Sequence, residues 1–296
     1  MKQMTKKLGF LAVLIIAQVC LTALPLSATI TLDTKNNTRS VSDTAKVTAQ
    51  TSGSVKPEMF QDFIPGWSNN TSQDGLWTIN GIWVGTGRDT LDPANITFTD
   101  TYSGESSTGF VYLKTKANSM LGSEIQTRKS CPCYGYGYYE VRMKVTKVGD
   151  PVNKRGVCAS FFWKRQNYGS AEWDFEFLTD GLWITSQDSG QVTMNYHLDD
   201  ERSAVHYQNL PFNPSTGFHR YGFLWQPNRL DWTVDGQIVY CFIDPGVASN
   251  PGYIMINSWT GNVNWGGNPP RQDAVTVYDW IKYYPNVTSI PDGVTE

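Results

Sequence analysis

The stretch Leu230-Asp231-Trp232-Thr233-Val234-Asp235-Gly236-Gln237-Ile238-Val239-Tyr240-Cys241-Phe242 decides the fold class. Two short runs rich in β-branched and aromatic residues flank Asp235-Gly236, a dipeptide that tolerates the positive φ angles of a two-residue hairpin turn. This predicts strands over 230–234 and 237–242. The same punctuation recurs outward in both directions, with apolar or alternating runs at 77–84, 110–115, 138–145, 157–163, 173–178, 192–198, 219–225, 253–259 and 275–284. Beyond the N-terminal apolar run, no window sustains a period of 3.6 residues. Many strands without helices predict an all-β, antiparallel sandwich or barrel.

Composition agrees. Among 296 residues there are 11 Trp, 15 Tyr and 26 Gly, and only 17% are charged. That mix suits strands and stacking surfaces better than helices. With 24 basic against 27 acidic side chains and a net charge of −3, nothing provides a field for nucleic acid or an anionic membrane. Neither partner is expected, and a monomer is.

The N-terminus reads as an export signal. Lys2, Lys6 and Lys7 precede an apolar run over 8–17, and Pro25-Leu26-Ser27-Ala28 offers small residues for cleavage after Ala28. A secreted, extracellular product is expected. Residues 29–56 are Ser/Thr-rich and read as a linker or tail, 57–288 as the folded domain and 289–296 as a C-terminal tail. Cys131, Cys133, Cys158 and Cys241 remain after cleavage, an even number compatible with disulfides of undetermined pairing.

The chemistry concentrates in Ala171-Glu172-Trp173-Asp174-Phe175-Glu176-Phe177-Leu178. Strand alternation puts Glu172, Asp174 and Glu176 on one face and Trp173, Phe175 and Phe177 on the other. Three aligned carboxylates repel one another, which an ordinary strand has no reason to tolerate. At about 3.3 Å per residue the Glu172 and Glu176 Cα atoms lie roughly 13 Å apart, and their side chains can converge toward a two-carboxylate glycosidase geometry. Asp174 between them would keep a proton on a neighbour.

Glu172-Trp173-Asp174-Phe175-Glu176-Phe177-Leu178 resembles the active-site strand of glycoside hydrolase family 16, in the form without an inserted residue that lichenases carry. The likeness continues through Ser123-Glu124-Ile125, Tyr134-Gly135-Tyr136-Gly137, Ser160-Phe161-Phe162, Met194-Asn195-Tyr196, Gly217-Phe218-His219-Arg220-Tyr221, Ile254-Met255-Ile256-Asn257-Ser258-Trp259 and Tyr278-Asp279-Trp280. The resemblance implies a β-jelly-roll sandwich with a carbohydrate cleft on its concave face. It implies Glu172 as nucleophile, Glu176 as general acid/base and Asp174 as their electrostatic partner. Glu124, Asn195, Asn257, Trp259 and Trp83 fall where relatives contact sugar, and no cofactor is expected for catalysis. Asp279 stands where some lichenases hold a structural calcium. His219 is expected to be structural.

Departures from the family pattern are Ser170 and Gly87 in place of subsite Trp residues, His197 in place of a Tyr, and an inserted 128–133 segment. The expected activity is a secreted, retaining endo-β-glucanase acting on β-1,3-1,4-glucan. A xyloglucan-type hydrolase or transglycosylase, and a lectin-like binding module, are the alternatives.

Overall fold

The computed structural model describes residues 56–81, 90–130, 134–165, 171–181, 184–186, 188–198, 203–244 and 250–291. The expected leader, nearly all of the 29–56 tail, and Trp83, Gly87, Cys131, Cys133 and Ser170 lie outside the described residues.

The strands are β1 (Met59–Asp62), β2 (Trp77–Ile79), β3 (Thr90–Leu91), β4 (Ile96–Thr99), β5 (Phe110–Thr115), β6 (Leu121–Thr127), β7 (Gly137–Lys144), β8 (Cys158–Arg165) and β9 (Glu172–Leu178). They continue as β10 (Ile184–Ser186), β11 (Ser189–His197), β12 (Ser203–Leu210), β13 (His219–Gln226), β14 (Arg229–Val234), β15 (Gln237–Ile243), β16 (Gly252–Trp259) and β17 (Ala274–Pro285). Among the described residues the helical content is a single 3-10 turn at Pro93–Asn95.

Two sheets form. The first runs β15-β14-β13-β7-β17-β5-β4, with β1 also on β17. The second runs β10-β11-β9-β8-β16-β6-β2, with β12 on β11 and β3 on β6. This is the expected jelly-roll sandwich, all-β and antiparallel except for the two-residue β3, which lies parallel to β6. The hairpin turn forms as the sequence implies: Asp235 has φ 47°, Gly236 has φ 77°, and Val234 pairs with Gln237.

The alternation of β9 shows why the sheets pack. Trp173, Phe175 and Phe177 are fully buried between them. Trp173 stacks on Trp163 of β8 at 3.9 Å, and Trp225 of β13 packs against both rings at 4.7–4.8 Å. Phe223 of β13 lies against Phe161 and Phe175 at 5.1 and 5.2 Å. Each such aromatic pair adds about 0.5–1.5 kcal/mol beyond its area burial. The aromatic core therefore holds the other face of β9, with its three carboxylates, turned outward.

Candidate active site

Glu172, Asp174 and Glu176 line one cleft of about 550 Å³, together with Glu124, Asn257, Trp259, Lys164 and Asn80. The cleft crosses several strands of the second sheet. Pairing registers place Glu124, Asn257, Ser160, Glu176 and Thr193 in one cross-strand row over β6, β16, β8, β9 and β11.

The three carboxylates have unequal surroundings. Glu172 is ion-paired to Lys164 of β8 and keeps 21% of its side chain exposed. Asp174 is 3% exposed and accepts a 2.6 Å hydrogen bond from Asn195 Nδ2. The same Nδ2 donates to Glu176 Oε2, also at 2.6 Å. Glu176 Oε2 takes a second donor, the Trp265 indole N–H, at 2.8 Å, and Oε1 accepts the Cys158 thiol at 3.2 Å. Burial pushes the Glu176 carboxyl up to about 7, with Glu172 adding to the rise and the three donors opposing it. Burial also raises Asp174 well above the usual range, and the neighbouring Glu176 and Glu172 push the same way. Like charges held this close cannot all ionise, so the Asp174–Glu176 pair retains a proton near neutrality.

Two of the residues expected to contact sugar, Glu124 and Asn257, are hydrogen-bonded to each other. Glu124, 3% exposed, accepts from Asn80 Nδ2 at 2.6 Å and from Asn257 Nδ2 at 3.1 Å. Asn257 Oδ1 in turn accepts the Ser160 hydroxyl. Trp259 reaches the cleft wall, but it is 8% exposed because its indole also packs on Cys158, Leu178 and Trp265. His197 brings a ring nitrogen within 4.8 Å of carboxylate oxygens of Glu172 and Asp174. His219 lies elsewhere, stacked on Phe212 at 3.5 Å and bonded to Asp235 at 2.9 Å.

Lys164, Asn80, Cys158 and Trp265 were not singled out as site residues from sequence. Trp265 arrives through a loop folded on itself, where the Trp265 and Gly267 N–H groups both donate to the Asn262 carbonyl. Gly266 takes φ 75°, and a Cβ there would sit 2.8 Å from the Cys158 backbone nitrogen. Only glycine combines that conformation with that approach. Cys241 is disulfide-bonded, and Cys158 is a buried thiol. Cys158 is on the same side of β8 as the cleft-lining Ser160, Phe162 and Lys164, and its sulfur lies 3.2 Å from Glu176 Oε1.

Asp279 lies on β17 in the first sheet, remote from the cleft strands in sheet order. Its Oδ2 accepts from Arg142 and from Ser107. Its Oδ1 is buried without a hydrogen-bond partner, and so is Oδ1 of Asp62, whose charge acts on Asp279. Two carboxylate oxygens left unsatisfied away from water are the hard donors a calcium ion takes. These two oxygens are donors of the kind calcium takes, while the other oxygen of Asp279 is already ion-paired to Arg142.

The profile of "Glycosyl hydrolases family 16" matches residues 91–282. A beta-glucanase of Bacillus amyloliquefaciens is 30% identical over 246 residues, covering 81% of this chain and 91% of that protein. The solved Bacillus licheniformis beta-glucanase superposes with a TM-score of 0.59 at 25% identity, over 80% of this chain and all of that one. A prokaryotic beta-1,3-1,4-glucanase (lichenase) derived from a mouse hindgut metagenome superposes at 0.56 with 27% identity, over 77% of this chain and 98% of that one. A sandwich whose cleft strand turns three carboxylates outward, matched by that profile over most of its domain, belongs to family 16 of the glycosyl hydrolases and acts on O-glycosyl bonds.

Proposed function

We propose that the protein is a secreted, retaining endo-β-glucanase that cleaves β-1,3-1,4-glucan. The observation that carries this reading is the asymmetry of the two glutamates on β9. Glu172 is partly exposed and ion-paired to Lys164, while burial holds Glu176 up to about 7. Glu172 attacks the anomeric carbon as Glu176 protonates the departing glycosidic oxygen. Glu176, now ionised, then takes a proton from the water that hydrolyses the glycosyl-enzyme. Asn195, bonded to both Asp174 and Glu176, orients the pair.

An open cleft crossing several strands suits internal cleavage of a long chain. The choice of mixed-linkage glucan rests on the similarity to the Bacillus beta-glucanases and to the lichenase. Secretion is supported by the basic-then-apolar N-terminus and by the Cys241 disulfide. No cofactor takes part in the chemistry. A structural calcium at Asp279 and Asp62 belongs to the same reading.

Reducing-end release on barley glucan, lichenan, laminarin, xyloglucan and agarose tests it. The expected result is rapid release from barley glucan and lichenan, lost in Glu172→Gln and in Glu176→Gln. Release from xyloglucan alone, or tight binding without release, would contradict it.

A further inference from the structure

The geometry points to Cys158 as a positioning residue that holds the Glu176 oxygen carrying the transferable proton and sets how firmly that proton is kept. This rests on the reading of Glu176 as general acid/base.

The two Glu176 oxygens are not equivalent. Oε2 is occupied by Asn195 Nδ2 at 2.6 Å and Trp265 Nε1 at 2.8 Å. Amide and indole N–H groups are donors only, so neither can accept a proton placed on Oε2. The proton that Glu176 delivers therefore sits on Oε1, and Oε1 is the oxygen 3.2 Å from the Cys158 sulfur. A thiol is both a weak donor and a weak acceptor. It donates to Oε1 when Glu176 is ionised and can accept from Oε1–H when Glu176 is protonated, so both catalytic states have a partner at that oxygen. A hydrocarbon side chain serves neither state. A hydroxyl would serve both but bond the carboxylate more strongly.

The sulfur is well fixed. Cys158 opens β8, pairs with Leu178 and Trp259 on either side, is buried with both, and has the partly buried Trp265 packed against them. Other charged or titratable groups around this site are Glu172 and Asp174 on the same strand as Glu176, Lys164 of β8 and Glu124 of β6 lining the same cleft, His197 of β11 beside Glu172 and Asp174, and Tyr278 of β17, whose hydroxyl bonds the Ser160 carbonyl. A substitution at Cys158 leaves all of them in place.

The test is the alkaline limb of kcat/KM on barley glucan, compared among the wild-type protein, Cys158→Val and Cys158→Ser. Removing the donor destabilises ionised Glu176, so the Val limb moves up by about half to one pH unit. The Ser limb moves down or stays with the wild type. If Cys158→Val does not fold, Cys158→Ala removes the same donor without added bulk and its limb is read instead. A limb of folded Cys158→Val or Cys158→Ala that coincides with the wild type, or a uniform fall in rate with no displacement, would overturn the proposal. Failure of the parent reading looks different. A Glu176→Ala protein that still cleaved barley glucan would remove the acid assignment whatever the Cys158 variants do. With a dinitrophenyl glycoside, whose departure needs no proton, the limb and its dependence on Cys158 should both vanish from the bond-breaking step.

Discussion

Trp232 donates its indole N–H across the core to the backbone carbonyl of Asp174 at 3.0 Å. The bond ties β14 of the first sheet to the middle of β9, so the carboxylate strand is held by the opposite sheet as well as by its neighbours. Trp232→Phe keeps an aromatic ring but removes the donor and leaves a small void. The expected cost is about 1–3 kcal/mol, a fall in Tm of roughly 2–10 °C. Thermal unfolding checks it, and an unchanged Tm would mean the tie contributes nothing.

Glu140 predicts how stability depends on pH. It is fully buried on β7, accepts the Tyr138 hydroxyl at 2.9 Å and leaves Oε2 unpartnered. Burial pushes its carboxyl from 4.5 to about 7, against the pull of Arg220 and the Tyr138 hydrogen bond. The folded state thus holds a proton that the unfolded state has released. Its contribution is complete below about pH 4.5 and is lost as pH rises toward 7. The loss amounts to about 2–3 kcal/mol. Asp174 and Glu176 slope in the same direction. Urea unfolding at pH 5 and pH 7 should show a smaller difference for Glu140→Gln than for wild type, and equal differences would refute the assignment.

How much of this was legible in the sequence depends on which contacts each residue makes. Strands such as Phe110–Thr115 and Gly252–Trp259 could be read because they contribute strong apolar runs to the core. Ser203–Leu210 could not, since it is an edge strand whose residues alternate between exposed and half-buried. Met59–Asp62 and Ile96–Thr99 are four-residue pieces defined by their partners. The three carboxylates were visible because a two-residue period is local. Lys164, Cys158 and Trp265 were not, because they reach Glu172 and Glu176 only through strand pairing and a loop closure. Trp265 is 89 positions from Glu176, so no spacing rule connects them.

Calcium should stabilise the fold without entering the reaction. If the unsatisfied oxygens of Asp62 and Asp279 hold the ion, excess chelator lowers Tm, while initial rates at low temperature stay the same. Asp279→Asn should remove most of the difference between the calcium-loaded and chelated curves. Superimposable melting curves, with no calcium found by metal analysis, would eliminate the site.

Activity should fall on the alkaline side as Glu176 loses its proton near its value of about 7. Glu176→Ala should nearly abolish cleavage of polysaccharide yet spare the first step for an aryl glycoside with a good leaving group. A variant equally defective on both substrates would argue against proton donation.

Glu172→Gln should lower turnover by about three orders of magnitude or more while leaving the fold and glucan binding intact. Azide added to Glu172→Ala should yield an α-glycosyl azide, because the small anion enters from the face the carboxylate has vacated. Recovery of the β-azide would place the nucleophile elsewhere.

The measurement that bears most directly on the double-displacement mechanism is proton NMR of a fresh digest of barley glucan, recorded before mutarotation. Two successive inversions, the first by Glu172 and the second by water activated at Glu176, predict that the β-anomer of the new reducing end appears first. The α-anomer appearing first would mean direct attack by water, and would contradict the account even if both glutamates proved essential.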